Sequence, residues 1–362
     1  MLGACVLMFP GSPMTESTKR IKGRATVNNP ANRFSDTHHE AFDDGWGARG
    51  DDPDAPATEL IPDASRSVLV YNQSPDVPFD RSVNPYRGCE HGCVYCYARP
   101  THAYLDCSAG LDFETRIFYK AGAAELLAQE LGKPGYQCQP IALGVNTDAY
   151  QPAERKLKIT RGILEVLLAH RHPVGIVTKS ALVERDLDLL GDMANRNLVH
   201  VMVSVTSLDK RLARSMEPRA AAPRRRLESI RRLSAAGIPV GVLVAPVVPV
   251  LNDGEIESIL TEVRRAGALT AGYVMLRLPH EVKDLFRSWL QRHVPLKADH
   301  VMKRIRDIRG GSENDSQFGR RMRGTGVYAE LIQKRFEIAL ARLSFQGMPA
   351  FDSSCFLSLI HI

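Results

Sequence analysis

The chain has 362 residues, 44% of them hydrophobic, and 47 Lys and Arg against 41 Asp and Glu give it a net charge of +6. That is ample for one large core of the α/β-barrel kind, and no apolar run approaches the ~18 residues that would argue for a membrane span. Seven cysteines, an odd number with three clustered, do not read as a disulfide framework; they point to the reducing cytoplasm, while the modest positive charge leans towards an anionic partner without defining one.

In chain order, the opening MLGACVLMFPGSPM is apolar but lacks the basic region of a signal peptide, which makes Met14 the more natural start. From Thr15 to Pro56 the sequence is polar, with Asn-Pro and Asp-Asp-Pro punctuation and almost no apolar period, so residues 1–65 are expected to form a disordered or loosely docked arm. Its basic start, Lys19-Arg20-Ile21-Lys22-Gly23-Arg24, suits a solvated tail or a phosphate contact. Short β-branched runs then alternate with helical stretches, the signature of right-handed βαβ units. Strands are predicted at Ser82–Tyr86, Ile141–Val145, Val174–Thr178, Val199–Val205, Val240–Val247 and Tyr273–Leu278. A helical stripe joins Leu157, Thr160, Ile163, Leu164, Leu167 and Leu168, and Asn252 with Glu255 reads as a cap-like helix start. The expected fold is a partial (βα)6 TIM-like barrel over 66–298. A helical extension over 299–362 follows it, with Lys303, Arg304, Arg306 and Arg309 and a last helix at Val327–Leu343 that buries Leu331, Phe336, Ile338 and Leu340.

The first strand leads directly into Gly88-Cys89-Glu90-His91-Gly92-Cys93-Val94-Tyr95-Cys96-Tyr97, a C-x3-C-x2-C spacing in a Gly-punctuated loop. Three thiols fill three corners of a tetrahedral metal site. Zinc with His91 as fourth ligand is one reading, but His91 lies between two of the cysteines, too close to close a comfortable chelate. An iron–sulfur cube fits the spacing better, since each thiolate holds a different iron and the loop wraps one face.

C-x3-C-x2-C with Tyr95 before the last cysteine resembles the signature of the radical S-adenosylmethionine (SAM) superfamily. The surrounding NPYRGCEHGCVYCYARPTHAY resembles the branch related to spore photoproduct lyase, over about Ser67 to Phe345. The resemblance implies a [4Fe-4S] cluster on Cys89, Cys93 and Cys96, with SAM chelated to the open iron. It further implies a reducing partner such as flavodoxin or ferredoxin, and a 5′-deoxyadenosyl radical that takes hydrogen from a substrate.

In such barrels functional groups sit at the C-terminal ends of strands. The candidates for holding SAM are Tyr95 at the adenine edge, Asn146, Thr147 and Asp148 after the second strand, Ser204 after the fourth, and one arginine of Arg224-Arg225-Arg226, with Arg224 the choice. Lys179 suits a carboxylate or phosphate, Ala245 to Asp253 an apolar adenine wall, and His280 or Glu281 a substrate contact. No catalytic residue is assigned. Two function classes compete: an enzyme of this kind, acting on a nucleic acid or other anionic macromolecule among its candidate substrates, and a nucleic-acid-binding protein whose metal is structural. Within the first, spore-photoproduct-lyase-like repair is disfavoured. The lyase carries a thiol at the end of the second strand where this chain has Val145, while Cys138 lies upstream and Cys107 follows the loop.

Overall fold

A computed structural model of the chain describes residues 21–34 and 56–358. The apolar opening with Cys5, Met14 and the basic pair Lys19 and Arg20 lie outside the described residues. The strands are β1 (Glu59–Pro62), β2 (Leu69–Tyr71), β3 (Arg81–Val83), β4 (Tyr86–Arg87), β5 (Arg116–Tyr119), β6 (Ile141–Leu143), β7 (Val174–Thr178), β8 (Val199–Ser204), β9 (Val240–Val247) and β10 (Thr270–Met275). The helices are α1 (Asp112–Thr115), α2 (Ala123–Leu131), α3 (Glu154–Leu157), α4 (Ile159–Ala169), α5 (Leu187–Ala194), α6 (Lys210–Met216), α7 (Pro223–Ala235), α8 (Ile256–Arg265), α9 (Val282–His293), α10 (Pro295–Asp307) and α11 (Val327–Arg342).

The main sheet has the order β10-β9-β8-β7-β6-β3-β2. Six of these strands, β3 and β6 to β10, run parallel, and β2 adds an antiparallel edge. They are the six strands expected from the sequence, and the partial barrel stands. Alternate residues Val174 and Ile176, Val199 and Val201, and Val240, Val242 and Val244 are buried, and α4, α7 and α8 cover the sheet with Ile163, Leu164, Leu167, Ile230, Leu233, Ile259 and Leu260. Each such side chain contributes about 1.5–3 kcal/mol, so the sheet and its helix cover carry the fold.

Several expectations are corrected. The expected arm is in part ordered structure: β1 pairs in parallel with β5, which also pairs with β4, in a small second sheet that the sequence reading missed. Residues 21–34 are docked, with the Asn32 amide donating to Ala103 O (3.1 Å) and Arg33 paired with Glu281 (2.9 Å). The last strand begins and ends three residues earlier than expected. Asn252 does not cap a helix, because its side chain accepts from Val248 N and donates to Thr206 O and Pro246 O. In α11 Phe336 is buried, but Leu331 and Ile338 face solvent, since Ala329, Ile332 and Ala339 supply the packing face. The expected boundary at 298/299 falls inside α10.

Two long-range contacts brace the partial barrel. At the end opposite the cysteine loop, residues 351–357 cross the strand entrances: Phe351 stacks on His200 (3.8 Å), and Leu357 and His170 exchange two hydrogen bonds of 2.9 Å. Along the open side, Met275 N donates to Met322 O, and the loop between β2 and β3 reaches across to this segment. There Asp76 accepts from Gly319 N and Arg321 Nε, and Ser74 Oγ accepts from Arg321. Arg309, in the basic run of the expected extension, is buried and binds the carbonyls of Met275, Leu276, Arg320 and Arg321.

Candidate functional site

The cysteine loop leaves β3 and β4 at the C-terminal end of the parallel strands, and buried polar groups hold its path. Gly88 and Gly92 adopt φ of 82° and 65°. A Cβ on Gly88 would come within 2.9 Å of Arg116 O and His102 Cε1, and one on Gly92 within 2.7 Å of Glu114 Oε2, so both positions need glycine. Cys89 N donates to Phe113 O (2.9 Å) and Val94 N to Met216 O (3.0 Å). Gln151 clamps the loop start, accepting from Glu90 N (2.8 Å) and donating to Gly88 O (3.1 Å).

The principal fastening is Arg99, which is fully buried. Its guanidinium donates to Cys93 O (2.8 Å), Gly92 O (3.1 Å), Ala109 O (3.1 Å), Gly110 O (2.9 Å) and Glu114 Oε1 (2.6 Å). Those five bonds match the five N–H donors of the group. Glu114, also buried, accepts in addition from Ala25 N, Thr26 N and Thr26 Oγ1, which ties the docked segment 21–34 to the loop. Neither residue was singled out in the sequence, where an arginine after a motif and an isolated glutamate carry no burial signal.

Cys89 and Cys93 are buried and Cys96 is partly exposed. Burial pushes the Cys93 thiol up to about 12, with Glu217 adding to the effect and Lys179 opposing it. Burial and then Asp148 raise Cys89 as well. His91, the candidate fourth zinc ligand, is turned to Asp148, with Nδ1 3.3 Å from Oδ2. Among the described residues no three His, Cys, Asp or Glu side chains converge on a position for one metal ion.

The other expected residues divide into those already engaged and those with free polar groups. Asp148 accepts from Tyr150 N (2.9 Å), Thr178 Oγ1 (2.8 Å) and Lys179 N (2.7 Å), which makes it a strap between the ends of β6 and β7. Burial opposes its charge, but His91 and these amides hold the carboxyl down at about 2. Thr147 Oγ1 donates to Tyr86 O (2.7 Å), so its hydroxyl is spent inside the protein. Tyr95 is buried, and its hydroxyl donates to Glu217, which also accepts from Thr206 Oγ1 (2.7 Å) and Arg226. Burial works against the Glu217 charge, yet Arg226 and Lys179 bring it to about 2. Arg224 is exposed at the start of α7. Arg226 is the member of the run that turns inward, donating to Ser204 O (3.0 Å) and Ala221 O (2.7 Å). Ser204 is buried, and Asn146 has its backbone N–H bound to Asn84 Oδ1 (2.9 Å). Lys179 Nζ lies 6.0 Å from the centre of the Tyr95 ring. The expected apolar wall packs Val248 with Cys93, Val94, Tyr95, Met216, Leu276 and Leu278. Glu281 is committed to Arg33 and His280 is exposed. Cys107 is buried and accepts from Arg116 (3.0 Å), and Cys138 precedes β6 at the far end of the barrel.

The model of the radical SAM superfamily matches residues 83–263, half of the chain, from β3 through α8. The chain belongs to the radical SAM superfamily. Curated relatives of this radical SAM protein include an uncharacterized protein of Mycobacterium tuberculosis, 41% identical over 221 residues, which are 60% of this chain and 65% of the relative. An uncharacterized protein of Methanocaldococcus jannaschii is 26% identical over 213 residues, 59% of this chain and 76% of the relative. The match thus spans just under two thirds of the mycobacterial protein. Spore photoproduct lyase complexed with dinucleoside spore photoproduct shares the fold at a TM-score of 0.55 and 15% identity, over 78% of this chain and 79% of that one. A mutant of the same lyase gives 0.56 at 14%. The radical SAM core and the independently read barrel topology coincide at the cysteine loop. No helix among the described residues is long and apolar enough to cross a membrane.

Proposed function

We propose that this protein is a radical SAM enzyme whose Cys89, Cys93 and Cys96 hold a [4Fe-4S] cluster and whose strand ends hold SAM. The observation that carries the reading is a rigidly pinned three-thiol loop at the barrel mouth, with His91, the imidazole within the loop, turned to Asp148. Three thiols in one short loop suit a cluster that spaces them over three irons. When bound, such a cluster would supply one electron to the SAM sulfonium, breaking the S–C5′ bond to give methionine and a 5′-deoxyadenosyl radical able to take a hydrogen atom from substrate.

The chain's own residues bind and orient. The Lys179 ammonium and the Asn146 amide suit the carboxylate and amino group of SAM, and Val248 with Leu276 and Leu278 suits an apolar ring. Tyr95 is a positioning residue, fixed through Glu217 and Arg226. The reductant is a flavodoxin or ferredoxin in the cytoplasm. Anaerobic reconstitution followed by dithionite and SAM tests the reading: it expects 5′-deoxyadenosine, and a protein that binds iron but neither binds nor cleaves SAM would overturn it.

Photoproduct repair is a separate matter, because the lyase carries a thiol at the end of the second strand and this chain has Val145 at the matching position. Val145 lies just beyond the end of β6, with its carbonyl accepting from Tyr97 Oη, and Cys138 lies at the opposite end of the strand. Efficient multiple-turnover recovery of thymine from DNA containing spore photoproduct would reverse this conclusion.

A further inference from the structure

Five large aromatic side chains are exposed among the described residues, and four of them, Phe34 (58%), Tyr97 (47%), Tyr104 (70%) and Phe318 (57%), lie along one seam. The seam runs between the exit of the cysteine loop, residues 97–104, and the exit of β10, residues 277–281. Each ring has a guanidinium against one face. Arg277 lies 5.6 Å from the Tyr97 centroid, Arg33 lies 4.6 Å from Phe34 and 5.7 Å from Tyr104, and Arg321 lies 4.5 Å from Phe318. Phe34 and Tyr104 stack on each other at 5.0 Å, and Arg33 bolts that pair to both sides of the seam through Glu281 and Pro100 O.

The charges along the seam are not equal. Arg33 is neutralised by Glu281 and Arg321 by Asp76. Arg277 has no carboxylate within ion-pair distance among the described residues, its Nε is buried without an acceptor, and its NH1 meets only Met322 Sδ at 3.8 Å. A buried guanidinium nitrogen without an acceptor is costly, and an oxyanion supplies what it lacks. Exposed flat rings backed by arginine, with one unpaired guanidinium among them, form the stacking platform and phosphate contact that an unpaired strand uses.

We propose that this seam binds single-stranded nucleic acid, with bases on the Phe34–Tyr104 pair and on Phe318 and a phosphate on Arg277, leading the strand across Tyr97 at the barrel mouth. An acidic peptide would satisfy Arg277 but leave the rings bare, and a duplex hides the base faces that the rings would cover. That the bound strand is substrate rests on the radical SAM reading of this mouth. The binding itself rests on the seam alone.

The test is fluorescence anisotropy of the full chain with a labelled oligothymidylate of about twelve nucleotides, at a series of salt concentrations. The oligothymidylate should bind, and a duplex of equal length should bind at least roughly tenfold more weakly. Tyr104→Ala and Phe318→Ala should each weaken binding roughly tenfold, while Tyr104→Phe and Phe318→Tyr, which keep the ring, retain it. Arg277→Gln should flatten the slope of log affinity against log salt by about 0.7, the loss of one phosphate contact. Equal or tighter duplex binding, an oligoglutamate peptide bound with the same residue dependence, indifference to ring removal, or no binding of the oligothymidylate at low salt would overturn the proposal. Calorimetric titration of the reconstituted protein with SAM separates the two readings. Strand binding without SAM binding removes the radical SAM site and leaves the seam, and the reverse result removes the seam alone.

Discussion

Replacing Glu114 by Gln isolates the fastening that shapes the cysteine loop. The substitution keeps size and one carbonyl oxygen, but it removes the charge facing Arg99 and sets an amide against the N–H groups of Ala25 and Thr26. Arg99 keeps its four carbonyl acceptors and becomes a fully buried cation with no counter-charge. Breaking a buried pair from one side costs about 3–5 kcal/mol. The described residues number 317, 14 in 21–34 and 303 in 56–358, and at ~2.1 cal/mol/K per residue their unfolding entropy is about 0.67 kcal/mol/K. The expected fall in Tm is therefore about 5–8 °C, read by calorimetry on metal-free protein. Lys133→Ala breaks an exposed pair with Glu130 and should shift Tm by less than about 1 °C. Arg99→Met combined with Glu114→Leu should cost less than the two single changes summed, since no orphaned charge is left. A Tm within about 1 °C of wild type for Glu114→Gln would refute the account of the loop as pinned by this pair.

The reconstituted protein should absorb broadly near ~400 nm and lose that band in the Cys89→Ala, Cys93→Ala, Cys96→Ala triple variant, while Cys107→Ala and Cys138→Ala retain it; full iron in the triple variant would contradict the ligand assignment. Asn146→Ala and Lys179→Met should each weaken SAM binding by about 1–3 kcal/mol in calorimetry with iron content unchanged. Thr147→Ala should act on stability instead, by about 1 kcal/mol, because its hydroxyl is already donated to Tyr86 O. Burial lowers His172 from 6.5 to about 4, so the folded state binds fewer protons than the unfolded state between those values. Its contribution is complete above pH 6.5 and is lost as pH falls to about 4, a change of roughly 3 kcal/mol. Denaturant titrations at several pH values should show that loss, and His172→Gln should flatten it; an unchanged slope would mean that another group is responsible.

The parallel core was legible because β-branched runs and helical stripes repeat along the chain, and four strands, β6, β7, β8 and β9, begin at their predicted residues. The cysteine loop was legible because its spacing is local. What escaped the reading was non-local. β1 and β5 are four residues each and pair across more than fifty positions, with no hairpin signal between them. Arg224, Arg225 and Arg226 look alike in sequence, and only the helix turn decides that Arg226 meets Glu217. Asp148 braces two strand ends, and in sequence a carboxylate at a strand end looks the same whether it faces a ligand or makes such a brace. The basic composition of 303–309 suggested a surface, and the backbone carbonyls that draw Arg309 inward leave no mark in the sequence.

The clasp of Ser74 and Asp76 on Gly319 and Arg321 joins positions some 245 residues apart, which has a consequence for biogenesis. While the chain is being made, β10 is complete at Met275, yet the flank of the barrel cannot shut until Arg321 has emerged. At ~5–20 residues per second that interval lasts about 2–9 seconds. During it the inner wall can form against its helices while the side door stands open.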